Sequence, residues 1–149
     1  MIRVSVGPGA IDVAAEYAAH DAGGHGASAS FVGRVRGDDG LSELFLEHHP
    51  VLTLAGLEEL AATAAARWTL AALTLIHRVG GMAPGETIVL VLASSAHRGE
   101  ALAAVEFLID RLKTDVMLWK RETFGDGRVG WVEQRDGDHE RAERWVPGQ

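Results

Sequence analysis

The stretch TIVLVLASSAHRGEALAAVEFLIDRLK, from Thr87 to Lys113, contains the pattern that decides the fold. Its first part, Thr87–Ala93, is an unbroken apolar run typical of a buried β-strand. The buried stripe of a predicted helix follows, at Ala101, Val105, Leu108 and Leu112. Ser94 or Ser95 is the expected N-cap of this helix, which should end near Lys113. A strand is therefore predicted to lead directly into a long amphipathic helix.

Patterns on either side of this stretch predict further strands and helices. The predicted strands are Ile2–Val6, Ala27–Arg36, Leu41–His48, Leu73–Val79, Val116–Thr123 and Val129–Gln134. The predicted helices are Ile11–His20, Thr53–Arg67 and a short one near Asp138–Trp145. The turn Gly37–Gly40 predicts that the strands before and after it form a hairpin. Tight turns between strands favour an α+β fold with a largely antiparallel sheet packed by helices.

Composition and charge restrict the class of protein. The chain has 149 residues, of which 47% are hydrophobic and 23% charged, as in a folded globular domain. We find no repeat or linker and predict one domain over residues 1–149, with a polar tail at 136–149. The net charge of −7 argues against nucleic-acid binding and against a membrane-surface protein. No apolar run approaches the length of a membrane span, and the N-terminus has no signal core, so we expect a cytoplasmic protein.

The chain contains no cysteine, and its basic residues are almost all arginine. Without cysteine there is no thiol nucleophile or persulfide carrier, so any sulfur must come from another molecule. Lys113 and Lys120 are the only lysines. Unlike arginine, a lysine amine can lose its proton and act as a base or nucleophile. The alternatives are a favourable charge at a helix C-terminus for Lys113 and a solvated strand position for Lys120.

Two groups of residues are candidates for binding an anion. His97 and Arg98 lie at the predicted start of a helix, where unpaired N–H groups favour a phosphate or carboxylate. A simple N-cap with solvated side chains is the alternative, although cations oppose the helix dipole there. Arg36 ends a predicted strand before a loop, in a position where binding residues often occur, and is otherwise an exposed arginine.

The sequence predicts neither a metal site nor a bound cofactor. His48 and His49 are adjacent in a predicted strand and should point to opposite faces. His77 has no obvious ligand companion, and we expect His77 and Arg78 on the surface of a strand or at an interface. There is no glycine-rich nucleotide-binding motif.

Seven short motifs stand in order along residues 28–135. They are Phe31-Val-Gly-Arg-Val-Arg36, Leu46-Glu-His48, Ile76-His-Arg-Val-Gly80, Pro84-Gly-Glu86, Ser94-Ser-Ala-His-Arg98, Leu112-Lys-Thr114 and Trp119-Lys-Arg-Glu122. Together they resemble the large, catalytic subunit family of molybdopterin synthase, whose fold is an α+β domain of the α/β hammerhead type. His49 and Val116-Met117-Leu118 depart from the usual family pattern.

The resemblance implies an enzyme of molybdenum cofactor biosynthesis, a sulfurtransferase. In this family a homodimer of large subunits binds two small ubiquitin-like β-grasp subunits, which gives a heterotetramer. The small subunit carries sulfur as a thiocarboxylate on its C-terminal Gly-Gly and transfers it to cyclic pyranopterin monophosphate. By motif position, Lys113 and Lys120 resemble the catalytic lysines of the family, and Arg36, His97 and Arg98 resemble its substrate-binding residues.

Two alternatives remain open on the sequence. A non-catalytic phosphate-binding or scaffold domain could keep the fold without turnover, although both lysines are present. An acyl-transfer enzyme could use a pocket lysine as acceptor, although the nucleotide-binding signature expected beside such chemistry is missing.

Overall fold

Strands and helices follow one another along the chain and form two sheets. The structure is a computed structural model that describes residues 1–20, 23–132 and 136–145. The elements in these residues are β1 (Ile2–Gly7), α1 (Val13–His20), β2 (Ala27–Arg34), a 3-10 turn (Asp38–Gly40), β3 (Leu41–His48), α2 (Leu52–Arg67), β4 (Ala72–Arg78), β5 (Gly80–Met82), β6 (Thr87–Ser95), α3 (Arg98–Asp115), β7 (Leu118–Phe124), β8 (Val129–Val132) and α4 (Asp136–Glu143).

The first sheet has the strand order β1-β4-β6-β2 and forms the centre of the molecule. β1 is parallel to β4, whereas β4, β6 and β2 pair antiparallel. One face is covered by α2 and α3 and the other by α1, so β6 is buried on both faces. Burial on both faces explains the continuous apolar run at Thr87–Ala93. The predicted α+β class with a largely antiparallel arrangement is confirmed.

The second sheet, with strand order β5-β3-β7-β8, is antiparallel and packs at one end of the first. Five buried side chains, from the second sheet and from the connections that lead into it, form the junction cluster: Val35, Leu44, Leu46, Val79 and Met82. Leu118 at the start of β7 packs on this cluster and also on the core of the first sheet. The junction cluster therefore fixes β7 relative to the end of α3.

The predicted hairpin between Ala27–Arg36 and Leu41–His48 is wrong. β2 pairs with β6, whereas β3 pairs with β5 and β7. The chain leaves the first sheet at Val35, whose N–H donates to the Glu86 carbonyl and whose side chain is buried in the junction cluster. Asp39 and Gly40 then take positive φ angles of 57° and 77° and turn the chain into the second sheet.

The predicted serine cap of α3 is also wrong. Ser94 and Ser95 are the last residues of β6 and are fully buried, and α3 begins at Arg98 with His97 as its N-cap. His97 makes no side-chain hydrogen bond as a cap. The Ser94 hydroxyl is instead within hydrogen-bonding distance of His20 and Ser28.

The remaining boundaries agree with the predicted elements to within a few residues. The last strand ends at Val132, and residues 133 and 134 of its predicted range lie outside the described residues. The tail forms α4, which packs on α3 through the buried Asp110. Arg141 Nε and Trp145 Nε1 donate to its two carboxylate oxygens at 2.9 and 2.7 Å. The hydrogen bond to Asp110 raises the pKa of Arg141.

Candidate active site

The residues predicted to form the site lie at two ends of α3. Gly33 of β2 and His77 of β4 both pair with Val89 near the start of β6, and this row marks one end of the first sheet. α3 follows β6 and packs back across β6 and β2, so its C-terminus returns towards this row. At 1.5 Å per residue, Arg98 and Lys113 are separated by about 22 Å along the helix. Arg36, Lys113 and Lys120 therefore lie towards one end, and His97 and Arg98 lie at the other.

Lys113 lies in the last turn of α3 and lines an open groove of about 590 Å³. The groove runs between β2, α3 and α4, and its apolar wall is made by Phe31, Leu102, Val105 and Ile109. Lys113 is exposed, and its Nζ lies 3.9 Å from Oδ1 of Asp138 on α4. The amine is thus at the surface of a groove with one apolar side and one charged side.

Lys120 lies in the middle of β7, with Leu46 of β3 directly opposite. Directly opposite residues share a face, and Leu46 is buried in the junction cluster, so Lys120 projects from the inner face of the second sheet. Trp119 and Arg121 project from the other face. Arg121 there stacks on Phe45, with its guanidinium carbon 4.6 Å from the ring centroid.

Arg36 lies just beyond β2 and is held by its backbone neighbours. Val35 bonds to Glu86 on one side and accepts from the Gly85 N–H on the other. Glu86 is fixed in turn by the hydrogen bonds that it accepts from the Ala83 N–H and from Arg78. The same bonds lower the pKa of Glu86. The Arg36 side chain itself is exposed, with Nε 3.7 Å from Asp38 Oδ2.

At the opposite end of α3, His97 and Arg98 are exposed, and a buried polar network lies nearby at the end of β6, on the face of the first sheet that α1 covers. His20 of α1 bonds through Nε2 to the Ser94 hydroxyl at 2.6 Å and through Nδ1 to Thr74 at 3.0 Å. The Ser94 hydroxyl also lies 2.8 Å from Ser28. The network connects α1, β2, β4 and β6 immediately before the chain enters α3. Whether His97 and Arg98 bind an anion remains a prediction.

His77 was expected on the surface of a strand or at an interface and was not among the predicted site residues; it is buried. It lies on the same face of β4 as Leu73 and Leu75, which are core residues, and that alternation was visible in the sequence. Its Nδ1 bonds to the Arg78 carbonyl at 2.8 Å. Desolvation is the main reason that its pKa is lowered from 6.5 to about 4, and the positive charge of Lys120 adds to the effect.

The described residues, 1–20, 23–132 and 136–145, also bear on metal binding and membrane insertion. No group of three or more His, Cys, Asp or Glu side chains there is arranged to hold a metal ion. No helix in those ranges is long and apolar enough to cross a membrane.

The fold and site define a small α+β protein with two lysines near the junction of its two sheets. The chain belongs to the MoaE family, whose model, described as MoaE protein, matches residues 6–115. It is 44% identical to a molybdopterin synthase catalytic subunit of Salmonella typhimurium, over 96% of this chain and 97% of that protein.

Solved structures share the fold over most of the chain. A molybdopterin biosynthesis MoaE protein from Burkholderia ambifaria has a TM-score of 0.83 and 39% identity, covering 97% of this chain and 98% of its own. A complex of subunits 1 and 2 of molybdopterin-converting factor from Helicobacter pylori contains a chain with a TM-score of 0.73 and 22% identity. This match covers 90% of the present chain and 91% of the other and shows the fold alone.

Proposed function

We propose that this chain is the catalytic subunit of a molybdopterin synthase and acts as a sulfurtransferase of molybdenum cofactor biosynthesis. The observation that carries the proposal is Lys113 in an open groove of a MoaE family member. The Salmonella relative is named as this catalytic subunit, and the Helicobacter structure is a complex of two subunits. The substrate proposed here is cyclic pyranopterin monophosphate, and the product is the molybdopterin dithiolene.

The proposed sulfur donor is a small ubiquitin-like subunit whose C-terminal Gly-Gly ends in a thiocarboxylate. The chain has no cysteine, so it cannot carry the sulfur as its own thiolate or persulfide. The groove along α3 would accept an extended tail, and glycine suits such a path because it has no Cβ. The anionic end of the tail would be attracted to Lys113 although the chain has a net charge of −7.

The chemistry assigned to Lys113 takes place at the thiocarboxylate carbonyl. As the sulfur bonds to a side-chain carbon of the pterin, a carbon–oxygen bond at that carbon breaks and its oxygen leaves with a proton or with the phosphate. The bond between acyl carbon and sulfur also breaks, and water supplies the oxygen with which the small subunit leaves as a carboxylate. The Lys113 amine assists either as an acid and base around an attacking water or as a transient acyl acceptor. Lys120 contributes positioning and charge stabilisation.

Arg36, His97 and Arg98 are proposed to hold the substrate phosphate or the terminal carboxylate. A single small ligand cannot bridge the length of α3, since Arg98 and Lys113 are about 22 Å apart along the axis. In a homodimer, however, the His97 end of one copy can complete the Lys113 groove of the other. We therefore favour a pocket made by two copies, with a small subunit bound to each to give the heterotetramer.

Reconstitution from purified components tests the proposal. Wild-type protein, a thiocarboxylated small subunit and cyclic pyranopterin monophosphate should yield molybdopterin, whereas the plain carboxylate subunit should bind without product. Lys113→Arg keeps the charge but removes an accessible neutral amine, so turnover should fall more than ten-fold, or about 1.4 kcal/mol in barrier. Arg111→Lys, on the same helix turn and paired with Asp115, is the matched control and should remain active.

Failure would take a definite form. If the folded protein binds the thiocarboxylated subunit but makes no product, the scaffold alternative replaces the synthase. Turnover of Lys113→Arg above a tenth of wild type would remove the role assigned to this amine.

The proposed compartment is the cytoplasm, where the soluble donor and the pterin would meet.

A further inference from the structure

We propose that His77 is a positioning residue for Lys120: its buried imidazole presents Nε2 to the lysine amine and sets the direction in which that amine faces the site. This inference rests on the proposed function only for its kinetic consequence. The proposed contact between the two side chains needs neither substrate nor partner, so it can be tested on the isolated chain.

The backbone of β4 directs His77 towards the junction of the two sheets. His77 follows Leu73 and Leu75 on the face that forms the main core, and Val79, two residues later, belongs to the junction cluster. Leu118, two residues before Lys120 on β7, packs on both groups. His77 therefore lies at the end of one core and the beginning of the other.

The second sheet brings Lys120 to the same junction. Gly80, Leu46 and Lys120 form one row across β5, β3 and β7, so Gly80 and Lys120 are separated by two strand spacings, about 10 Å. Lys120 shares the inner face with Leu46, which is 2% exposed and contacts the junction cluster. Lys120 is itself exposed, and a lysine side chain on this face is long enough to reach towards the end of β4, where His77 lies and feels its positive charge.

The hydrogen bonds of His77 define which ring atom is available. Nδ1 bonds to the Arg78 carbonyl and must carry a proton, because a carbonyl only accepts. In a neutral imidazole, Nε2 then has a lone pair that can accept from an amine N–H. The lowered pKa of His77, about 4, means that this neutral form is the one present near neutral pH.

Among the side chains around His77, the charged one that acts on its imidazole is Lys120. The strands that flank β4 place Val6 and Val89 opposite His77. Arg78 points to the other face of β4, where it bonds to Glu86 and to the Pro8 carbonyl. Lys120 is the charged side chain that acts on His77, and its positive charge opposes protonation of the ring.

A neutral acceptor at this position has a specific use. It can hold the Lys120 amine by a hydrogen bond without the repulsion that a protonated imidazole would exert on that amine. If the ring were protonated, Nε2 would become a donor and would repel the amine instead. His77 therefore acts through Lys120, without contact with the substrate.

The decisive experiment is an NMR titration of the His77 imidazole in the isolated protein, assigned with the variant His77→Gln. In wild type the ring should stay neutral with its proton on Nδ1 until well below pH 6. Lys120→Met should raise the midpoint of His77, whereas the matched control Lys113→Met should leave it unchanged. An identical His77 titration in wild type and Lys120→Met would overturn the proposal, whether or not the reconstituted synthase turns over.

Kinetics supply a second readout once the synthase is reconstituted. His77→Leu should lower kcat about ten-fold, with KM for the small subunit little changed. His77→Gln, which keeps a side-chain acceptor, should recover part of that loss. Equal kcat values for His77→Leu and wild type would contradict the positioning role. If His77→Leu does not fold, the titration of Lys120→Met still decides the question.

Discussion

The two ends of α3 are built differently, although each contains residues predicted to form the site. At the His97 end, exposed side chains follow the end of β6, where Ser94 belongs to a buried network of hydroxyl groups and an imidazole that bond to one another. At the Lys113 end, an exposed amine borders an open groove beside the junction of two cores. The buried network of His20, Ser28, Thr74 and Ser94 forms a polar platform at one end, and the other end has an open groove with one apolar and one charged side. These two ends are the halves of the composite site proposed above.

The strongest test of this comparison is complementation between two inactive variants. Lys113→Ala and Arg98→Ala should each be nearly inactive alone. In mixed dimers, one of the two pockets receives an intact Lys113 from one copy and an intact Arg98 from the other. A random mixture should then recover about a quarter of wild-type turnover, since half of the dimers are mixed and each has one intact pocket.

The control for complementation combines both changes in one chain. Mixing wild type with Lys113→Ala/Arg98→Ala places both intact residues in a single copy, so mixed dimers should contribute no turnover. Wild-type homodimers form about a quarter of this control mixture and should supply about a quarter of full turnover. About half of full turnover in the control, with none in the first mixture, would mean that Lys113 and Arg98 of the same chain act together, against the geometry of α3.

The secondary structure was largely predictable from local pattern, whereas the arrangement of the strands was not. The apolar run of β6 and the helical stripe of α3 record burial directly in the sequence, and their positions agree with prediction. Turn residues at Gly37–Gly40 indicate only that the chain reverses, and the crossover at Val35 into the second sheet depends on tertiary pairing with β6 and β7.

The candidate site shows the same division. Lys113 and Lys120 stood out because they are the only lysines, and motif order supplied their roles. His77 was not predicted as a site residue, although its alternation with Leu73 and Leu75 indicated a buried face. Its position next to the second sheet follows from tertiary packing, which no local window contains.

Lowering the pH should destabilise the folded protein through His77, which is buried towards the Lys113 end of α3. Because its pKa is lowered from 6.5 to about 4, the unfolded chain binds more protons than the folded one between these values, and stability falls as pH decreases through that window. The contribution is about 3 kcal/mol, fully present above pH 6.5 and lost near pH 4. Urea unfolding at several pH values should show a shallower acid loss for His77→Phe than for wild type.

A histidine on the surface provides the control for this titration. His139→Gln, in the exposed part of α4, should keep the wild-type slope of unfolding free energy against pH. Parallel slopes for wild type and His77→Phe would show that His77 is not held neutral by burial.

The polar platform at the other end should respond to loss of a hydroxyl. Ser94→Ala removes a partner of His20 Nε2 and leaves a buried ring nitrogen without its hydrogen bond, which costs about 2 kcal/mol. Ser42→Ala, which removes an exposed hydroxyl bonded to the Thr123 carbonyl, should change the unfolding free energy by less than about 0.5 kcal/mol. Equal effects of the two substitutions would mean that the buried hydrogen bonds of Ser94 contribute no more to the free energy of unfolding than the exposed one of Ser42.

The smallest expected effects are changes in the free energy of unfolding, and they have opposite signs at the two ends of α3. Arg98 lies in the first turn of α3, where its positive charge opposes the helix dipole, so Arg98→Ala should stabilise the fold by about 0.3 kcal/mol. Lys113 lies in the last turn, where the same charge is favourable and Asp138 is near, so Lys113→Ala should destabilise it by a similar amount, roughly 0.3–0.5 kcal/mol. Both differences should shrink in 1 M salt because the charges are exposed and the Debye length there is only about 3 Å. Urea unfolding at low and high salt measures this. If Arg98→Ala destabilises the protein instead, Arg98 makes a structural contact within its own chain. If Arg98→Ala stabilises the protein, the charge of Arg98 is unfavourable for folding. That result is expected of a residue whose role is to bind an anion.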